Sequence, residues 1–239
     1  KAVASGEGYV VIANARGEQV YINALPYPNE ARLKEEKTDE SYADKLRRWI
    51  ARGEAGFSGN MPHILLSHLF VAGGKVSESE RDIDLGGAVS LFSAFDYVAL
   101  GHLHKPQKLG ENVRYSGSLL QYSFDEFEKK QVILLHTQEK SLEIEEIPLL
   151  SGRKLVRLEE ENVERAAALL KQYPGAFIEL TLRLSAPLTS QETQLLRAAN
   201  DGLVSLIVRT RAESSAPVIK RTSLSSKQPF EEYYRCVYG

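Results

Sequence analysis

The sequence predicts an α/β chain: a layered domain over residues 1–150, a small second α/β unit over 151–213 and a tail over 214–239. Three observations carry this. Two short apolar runs, 63–68 and 97–104, end in histidine and lack the alternation of a half-solvated strand, as strands buried on both faces do. Residues 154–209 then read strand, helix, strand, helix, strand, the order of a compact α/β unit. The charge balance changes at the same place, with 22 acidic against 17 basic side chains up to residue 150 and 10 against 13 beyond it.

Composition narrows the class. The chain has 239 residues, 43% hydrophobic and 26% charged, which suits a globular protein and excludes a disordered one. A formal charge of −2 excludes a uniformly basic nucleic-acid coat but allows a local basic face. No apolar run approaches the roughly 20 residues of a membrane helix. The single cysteine, Cys236, forbids an intrachain disulfide and fits a reducing compartment, so the cytoplasm is expected. The chain opens Lys1-Ala2-Val3, with neither an initiator Met nor a signal-peptide pattern.

Taken in order, Tyr9 to Ala13 and Val20 to Leu25 form a hairpin around the turn residues Asn14-Ala15-Arg16-Gly17. Pro26 and Pro28 end its second strand. A helix is expected from Thr38 to Arg52, because Tyr42, Leu46, Trp49 and Ile50 share a face and Gly53 can stop it. Residues 56–61 and 73–87 are loops. Arg114 to Ser118, Gln131 to Thr137 and Ser141 to Ile147 are further strands, the last two a hairpin around Gln138-Glu139-Lys140. In the second unit, Lys154 to Leu158, Phe177 to Leu184 and Leu203 to Arg209 are strands. Asn162 to Tyr173 and Thr189 to Asn200 are helices. Thr189 with Glu192 makes a capping box, and Asp201-Gly202 ends the second helix. Ser214 to Gln228 reads as a linker, and Phe230 to Tyr238 as a short helix.

Three of the five histidines, His68, His102 and His104, stand where buried strands end, and ligands of open α/β sheets collect there. His102 and His104 are two apart, so an extended backbone would point both to one side, where imidazoles can serve a pair of metal ions. Gly101 allows close approach and Pro106 stops the strand. His63 precedes its strand and His136 sits within a hairpin, and both read as structural.

The run Asp96-Tyr97-Val98-Ala99-Leu100-Gly101-His102-Leu103-His104-Lys105-Pro106-Gln107 resembles the last metal-binding motif of calcineurin-like metallophosphoesterases. Arg114-Tyr115-Ser116-Gly117-Ser118 and Ser123-Phe124-Asp125-Glu126 look like segments that follow it in the SbcD-type subunits of bacterial SbcCD nucleases. Leu66-Ser67-His68-Leu69-Phe70-Val71-Ala72-Gly73-Gly74 and Ser77-Glu78-Ser79-Glu80-Arg81 look like the preceding motif and loop. The resemblance runs from about residue 8 to 213. It implies a partial layered metallophosphoesterase domain, a DNA-capping α/β domain and a partner-binding helix. It implies that His68 and His102 ligate one ion and His104 another, with Mn²⁺ the expected metal. Imidazole alone would also suit Fe, Zn or Co. It implies double-strand exonuclease and single-strand endonuclease work at DNA ends and hairpins, an SbcC-type ATPase as partner, and a homodimer of the intact protein.

The family's earlier motifs are an Asp-x-His, a bridging Asp and a Gly-Asn-His. Neither an Asp-x-His triplet nor an Asn-His pair occurs in this chain. The resemblance therefore implies a carboxy-terminal portion, inactive alone: three neutral imidazoles offer two dications no compensating charge, and no catalytic residue can be assigned.

Arg209, Arg211, Lys220, Arg221 and Lys227 lie within nineteen residues that contain one acid, Glu213. They form either a solvated face or a set of phosphate contacts. Phe230, Tyr233, Tyr234 and Val237 share one face of the final helix, which packs on the cap or docks on the ATPase. Ser116 and Ser118 beside Gly117 read as a tight turn, and Cys236 as incidental. Two rival functions stay open: a small-molecule phosphodiesterase of the same superfamily, and a non-catalytic module binding DNA or the ATPase.

Overall fold

The computed structural model describes residues 1–34, 36–80, 89–138 and 141–210. Arg211, Lys220, Arg221, Lys227 and the aromatic residues Phe230, Tyr233, Tyr234 together with Val237 lie outside the described residues, as do the linker and final helix expected there.

The main sheet has seven strands: β1 (Ala2–Gly6), β2 (Tyr9–Ala13), β3 (Gln19–Leu25), β4 (His63–His68), β5 (Tyr97–Gly101), β6 (Gln107–Lys108) and β7 (Val113–Tyr115). Their spatial order is β1-β2-β3-β4-β5-β7-β6. The β2–β3 hairpin forms as expected, and β3, β4, β5 and β7 run parallel through the centre. Parallel central strands need cover on both faces, which explains why β4 and β5 are nearly continuous apolar runs. One face is covered by α2 (Tyr42–Glu54), whose Leu46, Trp49 and Ile50 pack with Leu25, Leu65, Val98, Leu100 and Leu103. A separate hairpin, β8 (Gln131–Gln138) with β9 (Ser141–Pro148), follows.

Several sequence expectations shift. The helix expected from Thr38 begins at Tyr42, because the Ser41 side chain accepts from the Asp44 N–H and caps it there. Gly53 does not stop the helix. It lies inside the last turn, where an added Cβ would sit 2.1 Å from Asn23 Oδ1 and 2.6 Å from the Gly8 carbonyl oxygen, so glycine serves helix–sheet contact. The strand thought to run on to His104 stops at Gly101. β1, the one-turn α1 (Glu30–Leu33), a 3₁₀ turn at Val89–Phe92 and the two-residue β6 carried no sequence signal strong enough to place them.

The second sheet is parallel, β10 (Leu155–Glu160), β11 (Phe177–Leu184) and β12 (Leu203–Thr210), linked by α3 (Val163–Leu170) and α4 (Ser190–Ala199). Val163, Ala166, Ala167 and Leu170 of α3 and Leu196 of α4 bury Ile178, Leu180 and Leu182, a core distinct from that of the main sheet. The Thr189–Glu192 capping box is present. Asn200 donates to the carbonyls of Leu170 (2.8 Å) and Tyr173 (3.0 Å), closing the end of α3. Two ties join this unit to the rest. Arg157 forks onto Glu78 at 2.8 and 3.2 Å, and the Leu155 N–H donates to Gln121 Oε1 at 3.0 Å.

Candidate metal centre

The site lies at the carboxyl ends of β4 and β5, where His68 pairs with Gly101 across the sheet. The His68 and His102 rings stand 5.4 Å apart, centroid to centroid, and nearly perpendicular. Glycine at 101 is required for this, since an added Cβ would lie 2.7 Å from His68 Nδ1. Tyr27 flanks both rings at 5.9 and 6.2 Å, with the Arg32 guanidinium over its own face. Behind His68, the Tyr115 hydroxyl donates to the Leu69 carbonyl (2.8 Å) and accepts from the Val71 N–H (2.9 Å), pinning the segment that leaves the strand.

His102 and His104 do not share a side through strand alternation, because the backbone is no longer extended: His102 has φ 103°. For a residue with a Cβ this costs about 1–3 kcal/mol, and such strain gathers at functional positions. The turn throws Leu103 into the core, 2% exposed, and leaves the histidine on each side of it nearer the surface. His102→Gly should therefore be more stable than His102→Ala by about 1 kcal/mol, since only glycine relieves the strain. Equal urea midpoints for the two variants would contradict this.

Burial lowers the pKa of both His68 and His102. At His68 the nearby His102, Arg32 and His104 add to the effect, and at His102 a contribution from Glu80 opposes it. Both rings are thus neutral at neutral pH, with lone pairs available for a cation. The Nε2 of His102 is buried with no hydrogen-bond partner. Such an atom is costly in a folded protein and fits a coordinating role, so these residues suit a divalent ion. Among the described residues, however, no three His, Cys, Asp or Glu side chains come together closely enough to hold a metal by themselves.

His104 occupies a different setting. Its N–H donates to Glu80 Oε1, and its carbonyl accepts from the Ser118 N–H (3.0 Å) and Lys130 Nζ (2.9 Å). Its Nδ1 lies 2.9 Å from Ser79 Oγ and 3.4 Å from Glu126 Oε1. Gly117, at φ 82°, makes the tight turn beneath it; an added Cβ there would meet the His104 carbonyl at 2.7 Å. That agrees with reading Ser116 and Ser118 as turn residues. Sequence reasoning assigned no role to Ser79, Glu80, Glu126 or Lys130. The four-residue spacing of Glu126 and Lys130 was the available signal.

The other histidines are structural, as expected. His63 is buried between the rings of Phe57 (4.0 Å) and Phe95 (4.3 Å), with its pKa lowered by burial. His136 meets Glu145 at 2.7 Å on the exposed hairpin. Arg209 is exposed near the end of β12, opposite Arg183 of β11.

No family model matches the chain. Among curated proteins it is similar to the SbcD subunit of the nuclease SbcCD from Bacillus subtilis (strain 168), 34% identical over 209 residues. The chain is SbcD-like. Its mixed sheet with flanking helices is accordingly a metallophosphoesterase-like α/β fold. The match covers 79% of this chain and 54% of the relative, so the SbcD-like chain spans about half of that protein's length. Among the described residues no helix is long and apolar enough to cross a membrane.

Proposed function

We propose that this chain is part of a metal-dependent DNA nuclease subunit, in which His68 and His102 hold one divalent ion, most simply Mn²⁺, and His104 holds a second. The observation that carries the reading is the buried, partnerless Nε2 of His102 beside His68 at the carboxyl ends of two parallel strands. Divalent ions held there would supply Lewis acidity toward a phosphodiester. The chain's own residues orient the ligands: Gly101 admits the His68 ring, the His102 turn sets the ring pair, and the shell around His104 holds the third imidazole. The name of the similar protein, a component of SbcCD, supports an SbcC-type ATPase partner, DNA as substrate and work in the cytoplasm. Homodimerisation of the intact protein, phosphate contacts by Arg209, Arg211, Lys220 and Arg221, and docking through Phe230, Tyr233, Tyr234 and Val237 belong to the same proposal.

The charge argument makes a sharp demand. Neutral imidazoles do not compensate two dications, so this chain alone should bind Mn²⁺ weakly and release no nucleotides from linear duplex DNA. A longer form carrying Asp-x-His, the bridging Asp and Gly-Asn-His should cut. In that form His102→Ala should lower the rate by more than the roughly 10–100-fold typical of losing an outer-shell partner. Cleavage by the 239-residue chain alone, abolished by His102→Ala, would overturn the proposal.

A further inference from the structure

Each polar atom of the His104 backbone is engaged, and so is its Nδ1, and the group behind that nitrogen is unusual. Glu126 is completely shielded from solvent. Its Oε2 accepts from Lys130 Nζ and from the Tyr122 N–H (3.3 Å). Its Oε1 is 3.3 Å from the hydroxyls of both Ser77 and Ser79 and 3.4 Å from His104 Nδ1. An ionised carboxylate can only accept, and a serine hydroxyl has one proton to give. With the Ser79 proton directed to Glu126, Ser79 Oγ can only accept, so His104 Nδ1 must be the donor. The opposite arrangement would set a lone pair on Nδ1 against a carboxylate oxygen.

We propose that Glu126, through Ser79, is a positioning residue that keeps His104 in the Nδ1–H form and so leaves the Nε2 lone pair for a divalent cation. This rests on the reading of His104 as a ligand, and it gives Ser79 and Glu126 a role that their distance from any substrate would otherwise hide. Outer-shell carboxylates fix ligating imidazoles in just this way. Lys130 completes the arrangement. It neutralises Glu126 and also grips the His104 carbonyl and Ser118 Oγ, each at 2.9 Å, so carboxylate and imidazole are held by one ammonium.

The test reads the tautomer directly, without metal. Long-range ¹H–¹⁵N spectra of the histidine-labelled chain, assigned with His104→Ala, should show His104 protonated at Nδ1 and bare at Nε2. Ser79→Ala, an exposed loop position expected to fold, should move a large fraction to the Nε2–H form, as should Glu126→Gln combined with Lys130→Met. Titration with Zn²⁺, a diamagnetic probe, should shift the wild-type Nε2 resonance, with apparent affinity falling about 10–100-fold in both variants. An Nε2–H ring in the wild type, or a tautomer ratio unmoved by both variants, overturns the inference. If the tautomer behaves as expected but His104→Ala leaves Zn²⁺ affinity unchanged, the ligand reading of His104 fails and tautomer control alone stands.

Discussion

Glu126→Ala should destabilise the chain by about 3–5 kcal/mol, the loss expected when one partner of a buried ion pair is removed and the other is left charged in the interior. Lys130 is 7% exposed and Glu126 wholly buried, so the stranded ammonium cannot reach water without opening the turn under His104. Lys130→Met alone should cost a similar amount for the mirror reason. Glu126→Leu combined with Lys130→Met should recover most of the loss, because well-packed apolar groups can replace a buried pair at little net cost. Urea denaturation of the three variants checks this, and single losses that simply add in the double variant would contradict it. A neighbouring carboxylate adds a pH dependence. Burial alone would raise the Asp125 pKa, but bonds from Ser123, Lys105 and the Glu78 N–H overcome it and bring it down to about 2. Because the folded value is depressed, its stabilisation is complete above the ordinary carboxylate value of about 4 and is lost as the pH falls toward 2.

Leu103→Ala should cost about 2–5 kcal/mol, through lost apolar transfer and the cavity left behind. Its side chain is sealed beneath the site and packs with Leu69, Val71 and Leu100. Gly74 lies close enough that an added Cβ there would come within 2.6 Å of Leu103 Cδ1, so the pocket has little slack on that side. The larger consequence is geometric. Leu103 anchors the strained turn between His102 and His104, and without it His102 can relax from φ 103° and move away from His68. Leu103→Met should cost under about 1.5 kcal/mol and keep the ring pair, since it conserves volume. Thermal unfolding gives the stability difference, and histidine ¹⁵N shifts give the ring environment. Loss of stability without any change at His68 or His102 would show that the anchor does not transmit to the site.

Hairpin β2–β3, the helix over Tyr42–Glu54, both site strands and the β-α-β-α-β order of residues 155–210 were legible because each has a local cause. These causes are turn residues between alternating runs, apolar spacing near the helical period, or a capping box. The exposed strand Ala2–Gly6 and the short Gln107–Lys108 strand were not, because they exist only by pairing with a neighbour. Gly53 misled for a related reason. Locally glycine ends helices, but here it is kept for the approach of Asn23, distant in sequence.

The same division runs through the site. Sequence alone placed His68, His102 and His104 at the ends of buried strands, since an apolar run that stops at a polar residue is a local pattern, and it marked the likeness to SbcD. It misjudged how the last two are arranged, because the φ of His102 depends on Leu103 finding its place in the core. It had no access to Ser79, Glu80, Glu126 and Lys130 as a group. Ser79 and Glu126 are 47 positions apart and meet only after the loop, the turn at Gly117 and the sheet have packed together. Local free energies choose strands and helices; which side chains share a proton or a buried charge is decided by contacts the chain makes once folded.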